Sequence, residues 1–322
     1  MDPPERSAGE TALTLIASLM AALAVAVSQD PPPPPAQDPG RQVESPDADL
    51  GTIEVTGERP FEDRAAAFIE EVAAAPRGRG LARWDHAICV GAANMDRRYA
   101  QYMIDRVSMA ALDLGLEIGE PGCQPNIMIA AAADADELAV ELVKDEPRGF
   151  RPALAQTDLG SRALEEFQTS DAPIRWWHVS LPVMVDTGDI AIRLRDEEAS
   201  FVVVRDASRL RANVRDDLAR VVIILDTTQI GGTPYGAISD YVALVALAQI
   251  DPAADTSAWP SILNLFGSDA PPAGLTDWDR DYLQALYGAR RDRARASQQA
   301  REIVGDMTRA QDAEDEAPVA GD

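Results

Sequence analysis

His86, His178, Cys89, Cys123 and Asp240 are the side chains of this 322-residue chain whose types and settings raise a question of chemistry. Asp240 lies on the apolar segment Ile238 to Ile250, which reads as a buried helix. A zinc site on such a helix needs two ligands at i and i+4, on one face and within reach of one ion, and a catalytic zinc takes three protein ligands in all. The pairs available are Ser239/Ala243, Asp240/Leu244 and Tyr241/Val245, and none supplies two ligands. Neither histidine is in this region, so no metal and no cofactor is expected. His178 sits in "RWWHVSL" and reads as a packed or hydrogen-bonded strand histidine, because a general base needs a positioned partner and none can be named. Asp240 would be a general base only beside an activated water. Its ordinary roles are to cap the helix start with Ser239 or to bond the turn at Gly231–Gly232. Asp251 and Asp255 lack the spacing of a calcium loop. "GGTPYG", 231–236, precedes a helix and has room for an anion, but it matches no phosphate motif. There is no G-x-S-x-G elbow, P-loop or G-x-G-x-x-G.

Charge narrows the partners. The chain carries 29 basic and 54 acidic residues, a formal net charge of −25. Such a surface repels phosphate backbones and anionic lipid, so nucleic acid is not an expected partner. Lys144 is the only lysine, and the arginines are scattered along the chain.

The compartment is read from the N-terminus and the cysteines. Residues 12–27, "ALTLIASLMAALAVAV", form an uninterrupted apolar run, short for a membrane span and suited to a signal segment. Small residues at Ala24, Ala26 and Ser28 supply a cleavage site. Asp2, Glu5 and Glu10 against Arg6 are not the usual positive flank. Export to the periplasm or medium is the expectation, with an uncleaved inner-membrane anchor at 12–27 as the rival. The proline-rich stretch that follows, with five consecutive prolines, favours extended polyproline II and acts as a spacer. In an oxidising compartment Cys89 and Cys123 form either a disulfide or two buried thiols.

The elements that must position these residues follow from periodicity. Residues 52–60 read as a short edge strand. Phe68, Ile69 and Val72 stripe a helix from Glu62 to Ala75. His86 to Ala92 and Asn126 to Ala132 read as strands flanking a helix from Met95 to Leu116, a βαβ unit with parallel strands. Asp134 caps a helix through Lys144, and a short helix covers Leu159 to Gln168. Ile174 to Val185, Ile190 to Leu194 and Phe201 to Val204 read as an antiparallel set. "RVVIILD", Arg220 to Asp226, is the strongest strand and should be central. Thr276 and Asp279 have the spacing of a capping box for a helix with Tyr282, Leu283 and Leu286 facing inward.

The last of these pieces occur in a suggestive order. A strong strand is followed by the buried helix, an acidic loop, "SILN" at Ser261–Asn264, and "GLTDWDRDYLQALYG" ending at Gly288. This order resembles the matrixin-like metzincin peptidases, in which the helix bears H-E-x-x-H, a methionine turn of the type "SIMN" underlies the metal, and a helix of the type "LTxxDxxALxxLYG" closes the domain. Leu263 stands where the methionine is expected. The arrangement is also similar to a set of uncharacterised exported bacterial proteins with "PSILNL" and "LT…D…YLxxLY". The resemblance implies a degenerate, zincin-like C-terminal half without the zinc-binding histidines.

The reading is therefore an α+β fold, zincin-like, with a twisted mixed sheet, packed helices and a helical C-terminal part. Residues 1–28 are a signal peptide or anchor, 29–51 a disordered proline-rich linker, 52–288 one domain, and 289–322 a charged helix with an acidic disordered tail. The function expected is a non-catalytic pseudo-metallopeptidase of the envelope that binds a protein or peptide through a cleft lined by Asp240, Tyr241 and Asn264. The alternatives are a metal-independent hydrolase using Asp240 and His178, and a membrane-tethered structural protein.

Overall fold

A computed structural model of the chain describes residues 60–153, 157–195 and 210–316. The elements, in order, are α1 (Phe61–Val72), β1 (Val90–Ala93), α2 (Arg97–Asp113), β2 (Ile127–Ala132), α3 (Ala135–Asp145), α4 (Pro147–Phe150), α5 (Ser161–Thr169), β3 (Ile174–Met184), β4 (Val214–Asp226), α6 (Tyr235–Leu247), a 3₁₀ turn (Ile262–Asn264), α7 (Asp277–Gly288) and α8 (Ala296–Glu316). The four strands make one mixed sheet in the order β1-β2-β4-β3. β1, β2 and β4 run parallel, and β3 is antiparallel to β4. The fold is α+β.

Strand alternation divides the core in two. Val221, Ile223 and Leu225 of β4 join Ile127 and Ile129 of β2 in the larger cluster, with α1, α2, α6, α7 and α8. Val222 and Ile224 face the other way, against Trp177, Ala135 and Ala139 of α3, and Leu164 and Phe167 of α5. From Val221 to Leu225 β4 is thus paired on both edges and covered on both faces, which is why that stretch is four β-branched residues and a leucine. α6 is buried along almost its whole length. Its helical stability comes from packing, since it has no polar face to offer water.

Local chemistry accounts for the boundaries. The Asp96 carboxylate accepts from Arg98 N at the start of α2, and that of Asp134 accepts from Glu137 N at the start of α3. Pro234 precedes α6, so this helix begins at Tyr235, three residues before the expected start. β1 begins only at Val90, because Ile88 pairs instead with Ile118 in the returning loop. That loop is tied down by a disulfide between Cys89 and Cys123. Gly119 is required beside it, since a Cβ there would lie 2.8 Å from Cys123 Sγ.

Two further expectations change. The acidic stretch from Arg309 was expected to be disordered, but α8 continues through it to Glu316. Ile303, Val304 and Met307 anchor α8 in the main core, and Gln311 bonds Asp315 one turn on, so the helix propagates from a fixed start. Ile190 makes a single bridge to Val183 rather than starting a strand. Residues 201–204, residues 52–59 of the edge strand expected at 52–60, and the tail beyond Glu316 lie outside the described residues. No helix among the described residues is long and apolar enough to cross a membrane.

Candidate functional site

Asp240, Tyr241 and Asn264 do not converge on one cleft. Neighbouring residues on a helix point about 100° apart, which sends Asp240 and Tyr241 to different faces of α6. Asp240 turns toward α2, where Arg106 Nε donates to Oδ1 and Nη2 donates to Oδ2 at 2.7 Å. Leu275 N donates to the same Oδ2 at 3.0 Å. A Cβ at Gly274 would lie 2.5 Å from that oxygen, so the glycine lets the loop approach the carboxylate. Neither expected role, the cap with Ser239 or the bond to Gly231–Gly232, is what Asp240 does. Ser239 Oγ instead donates to Tyr235 O.

Asn264 is spent within its own loop. Its Nδ2 donates to Trp259 O at 2.7 Å and Thr256 O at 3.0 Å, and its Oδ1 accepts from Thr256 Oγ1 at 2.8 Å. It shapes the turn beneath α6 and presents nothing to a ligand.

His178 is buried on β3, and its Nε2–H donates to Val245 O at 2.7 Å. Burial pulls its pKa down to about 4, outweighing the opposing effect of the hydrogen bond to Val245 O. His178 is therefore neutral at pH 7 and engaged with α6 backbone, while Asp240 is engaged with Arg106 and Leu275. The two candidates share no contact.

This has a pH consequence with a definite sign. The folded pKa is below the ordinary value of 6.5. The contribution to stability is complete above 6.5 and is lost as pH falls from 6.5 toward 4, because the unfolded chain takes up the proton first. The difference amounts to about 3 kcal/mol. Urea unfolding at pH 7, 5 and 4 should show His178→Gln losing less stability on acidification than the parent. Parallel slopes for the two proteins would exclude this role for His178.

Tyr241 does line a cavity, of about 360 Å³, together with Phe167 of α5, Trp176, Trp177 and His178 of β3, and Asp251 of the loop after α6. Its ring stacks edge-on against Trp176 at 5.9 Å and Phe266 at 5.6 Å. β3 is the outer strand of the sheet, and the cavity lies along its outward edge at Ile174–His178. Asp226 N donates to Pro173 O, which makes that pair a hydrogen-bonded one. By the alternation of antiparallel ladders, Ile174, Trp176 and His178 then turn their N–H and C=O groups away from β4. Ser180 N, on the same edge, donates to Thr157 O. Among the described residues nothing pairs with the outward groups of 174, 176 and 178.

Sequence reading missed Arg106 and the aromatic wall. Arg106 lies in α2 beside the buried Met103 and Val107, and only folding shows that it meets Asp240. The tryptophans were visible, but a strand alone does not reveal which edge stays open. Among the described residues no group of three or more His, Cys, Asp or Glu side chains is placed to hold a metal ion.

Fold and site together define a disulfide-tied α+β domain with a buried central helix and an aromatic cleft along β3, whose edge at 174–178 is unpaired among the described residues. No protein-family model, curated protein or solved structure matches the chain.

Proposed function

We propose that this chain is an exported, zincin-like envelope protein that acts by binding, and that its cleft takes an extended peptide segment along the free edge of β3. One observation carries the binding reading. Three consecutive outward positions of an edge strand, 174, 176 and 178, floor a cavity walled by Phe167, Trp177 and Tyr241. Unpaired strand edges add a further strand, and alternate side chains of the added strand need pockets. Aromatic walls provide them.

The zincin-like part of the reading is supported by chain order. β4 leads into α6, the Ser261–Asn264 turn follows, and α7 closes behind it. Export is supported by the apolar run at 12–27 and by the Cys89–Cys123 bridge. The non-catalytic part is supported by Asp240, whose two oxygens face Arg106 and Leu275 N.

The peptide reading is tested by titrating the full chain with a positional heptapeptide library while following tryptophan emission. Selected peptides should saturate the change, lose affinity when alternate backbone amides are N-methylated, and fail to bind Ala253→Trp, which fills the cavity. Binding that tolerates both changes would mean another surface is used. One zinc atom per purified chain would overturn the non-catalytic part.

Asp240→Ala separates this reading from a hydrolase. The side chain is 3 % exposed while that of Arg106 is 40 % exposed. Losing the carboxylate strands Leu275 N but lets Arg106 relax toward water, so the expected loss is about 3 kcal/mol, at the lower end for a buried pair. Chemical denaturation should show this loss, with peptide binding retained below the transition. A variant of unchanged stability that loses a measurable hydrolysis would favour the enzyme instead.

A further inference from the structure

Arginines scattered in the sequence converge in the fold. A cavity of about 330 Å³ lies among the loop after α1, the end of β3, the start of β4 and the α7–α8 connection. Arg79, Arg215, Arg290, Arg291, Arg293 and Arg295 line it, against a single carboxylate, Asp216. In a chain with 54 acidic and 29 basic residues this inverts the overall ratio.

The carboxylate is already engaged, accepting from Arg79 Nε and from Gly80 N at 2.9 Å. Arg215 and Arg291 are held from behind by Asp85 and Asp217. Arg290 pairs with Asp292 through two bonds, at 3.1 and 3.0 Å. These pairs fix the guanidiniums in place, a preorganisation that an anion site requires. Two arginines remain able to give more. Arg293 uses Nε, on Glu302 at 2.7 Å, and among the described residues its terminal nitrogens have no further hydrogen-bond partner. The Arg295 guanidinium makes no hydrogen bond or ion pair among the described residues, although its backbone N–H donates to Gln298 Oε1.

Arg83 adjoins the cluster, and its pKa is brought down to about 10, first by burial and then by Arg291. Counting Arg83, the cluster holds seven guanidiniums and the five carboxylates of Asp85, Asp216, Asp217, Asp292 and Glu302. The cluster keeps a positive excess inside a strongly negative protein. The start of α8 forms another wall through Arg295, Ala296 and Gln299, and the positive end of a 21-residue helix adds to the same sign.

The geometry points to this cavity as a binding site for a small phosphate-class oxyanion, held by the terminal nitrogens of Arg293 and Arg295 at the start of α8. A tetrahedral dianion offers several acceptor oxygens at once, and guanidinium forks match that arrangement. The volume suits inorganic phosphate or the phosphate of a small ester. The site shares no lining residue with the aromatic cleft on β3. It stands independently of the peptide reading.

Calorimetric titration of the full chain with inorganic phosphate, glycerol phosphate and acetate at matched ionic strength tests it. One of the two phosphates should bind saturably at a single site, and acetate should not. Tighter binding of the ester identifies a phosphorylated small molecule as the source, and tighter binding of the inorganic ion identifies free phosphate. Arg293→Gln/Arg295→Gln should weaken the favoured ligand by about tenfold or more. The one ion pair it removes, Arg293–Glu302, is still reached by solvent on both partners and contributes little to folding, so the circular dichroism melt of the variant should match the parent. Arg280→Gln, on the exposed face of α7, should bind as the parent does. Heats indistinguishable from acetate, or undiminished binding to the double variant, would overturn the assignment.

Discussion

Asp279→Ala is expected to destabilise the protein by about 5 kcal/mol, because four donors converge on this one buried carboxylate. Ser261 Oγ donates to Oδ1 at 2.6 Å, and Ile262 N donates to Oδ2 at 2.8 Å. Thr276 supplies its N–H at 3.0 Å and its hydroxyl at 2.7 Å to the same Oδ2. Asp279 is therefore both the N3 partner of the α7 capping box and the clamp that holds the 261–264 turn against that helix. Burial raises its carboxyl above the usual range in spite of these donors. Removing it leaves buried N–H and O–H groups with no replacement acceptor. Asp279→Asn keeps one acceptor oxygen and should lose about half as much. Urea denaturation of the two variants provides the check. A loss below about 1 kcal/mol for alanine would mean that water or rearrangement satisfies the turn.

Opening the Cys89–Cys123 bridge should cost about 4 kcal/mol, since the two residues are 34 apart and the closed loop spans α2. The bridge ties β1 to the segment entering β2, next to the Ile88–Ile118 pairing. Cys89→Ala/Cys123→Ala and reduction of the parent should give the same lowered urea midpoint. Hydrogen exchange should rise first at Ile88 and Gly119, whose amides bond across this junction. Equal midpoints for oxidised and reduced protein would show that the loop is already ordered by its hydrogen bonds.

The elements legible in the sequence are those whose signal is local. The Thr276–Asp279 spacing predicts a capping box, and the box forms. The β-branched run at 220–226 predicts a central strand, and β4 pairs on both edges. The βαβ reading of 86–132 holds as β1, α2 and β2 with parallel strands. What went astray had a non-local cause. Disorder was expected after Arg309 from charge alone, yet docking of Ile303 and Met307 carries the helix on to Glu316.

The candidate site was less legible still. Tyr241 lines the cavity beside β3, whereas Asp240 meets Arg106 and Leu275 and Asn264 bonds within its own loop, since a cleft is made by whatever packs opposite a residue. Asp240 meets Arg106 across 134 positions of sequence, and no periodicity records that pairing. The α+β class, the caps at Asp134 and Thr276, the strong central strand and the lack of a ligand pair on α6 can be read from the residues alone, because these depend on residue type and on neighbours within a turn or two. Packing of the whole chain brings Cys89 to Cys123, sets aromatic rings beside an edge of β3 that is unpaired at 174–178 among the described residues, and gathers arginines far apart in the chain around one cavity. Those outcomes depend on which surfaces meet when the apolar faces are buried, and that is a property of the packed chain as a whole.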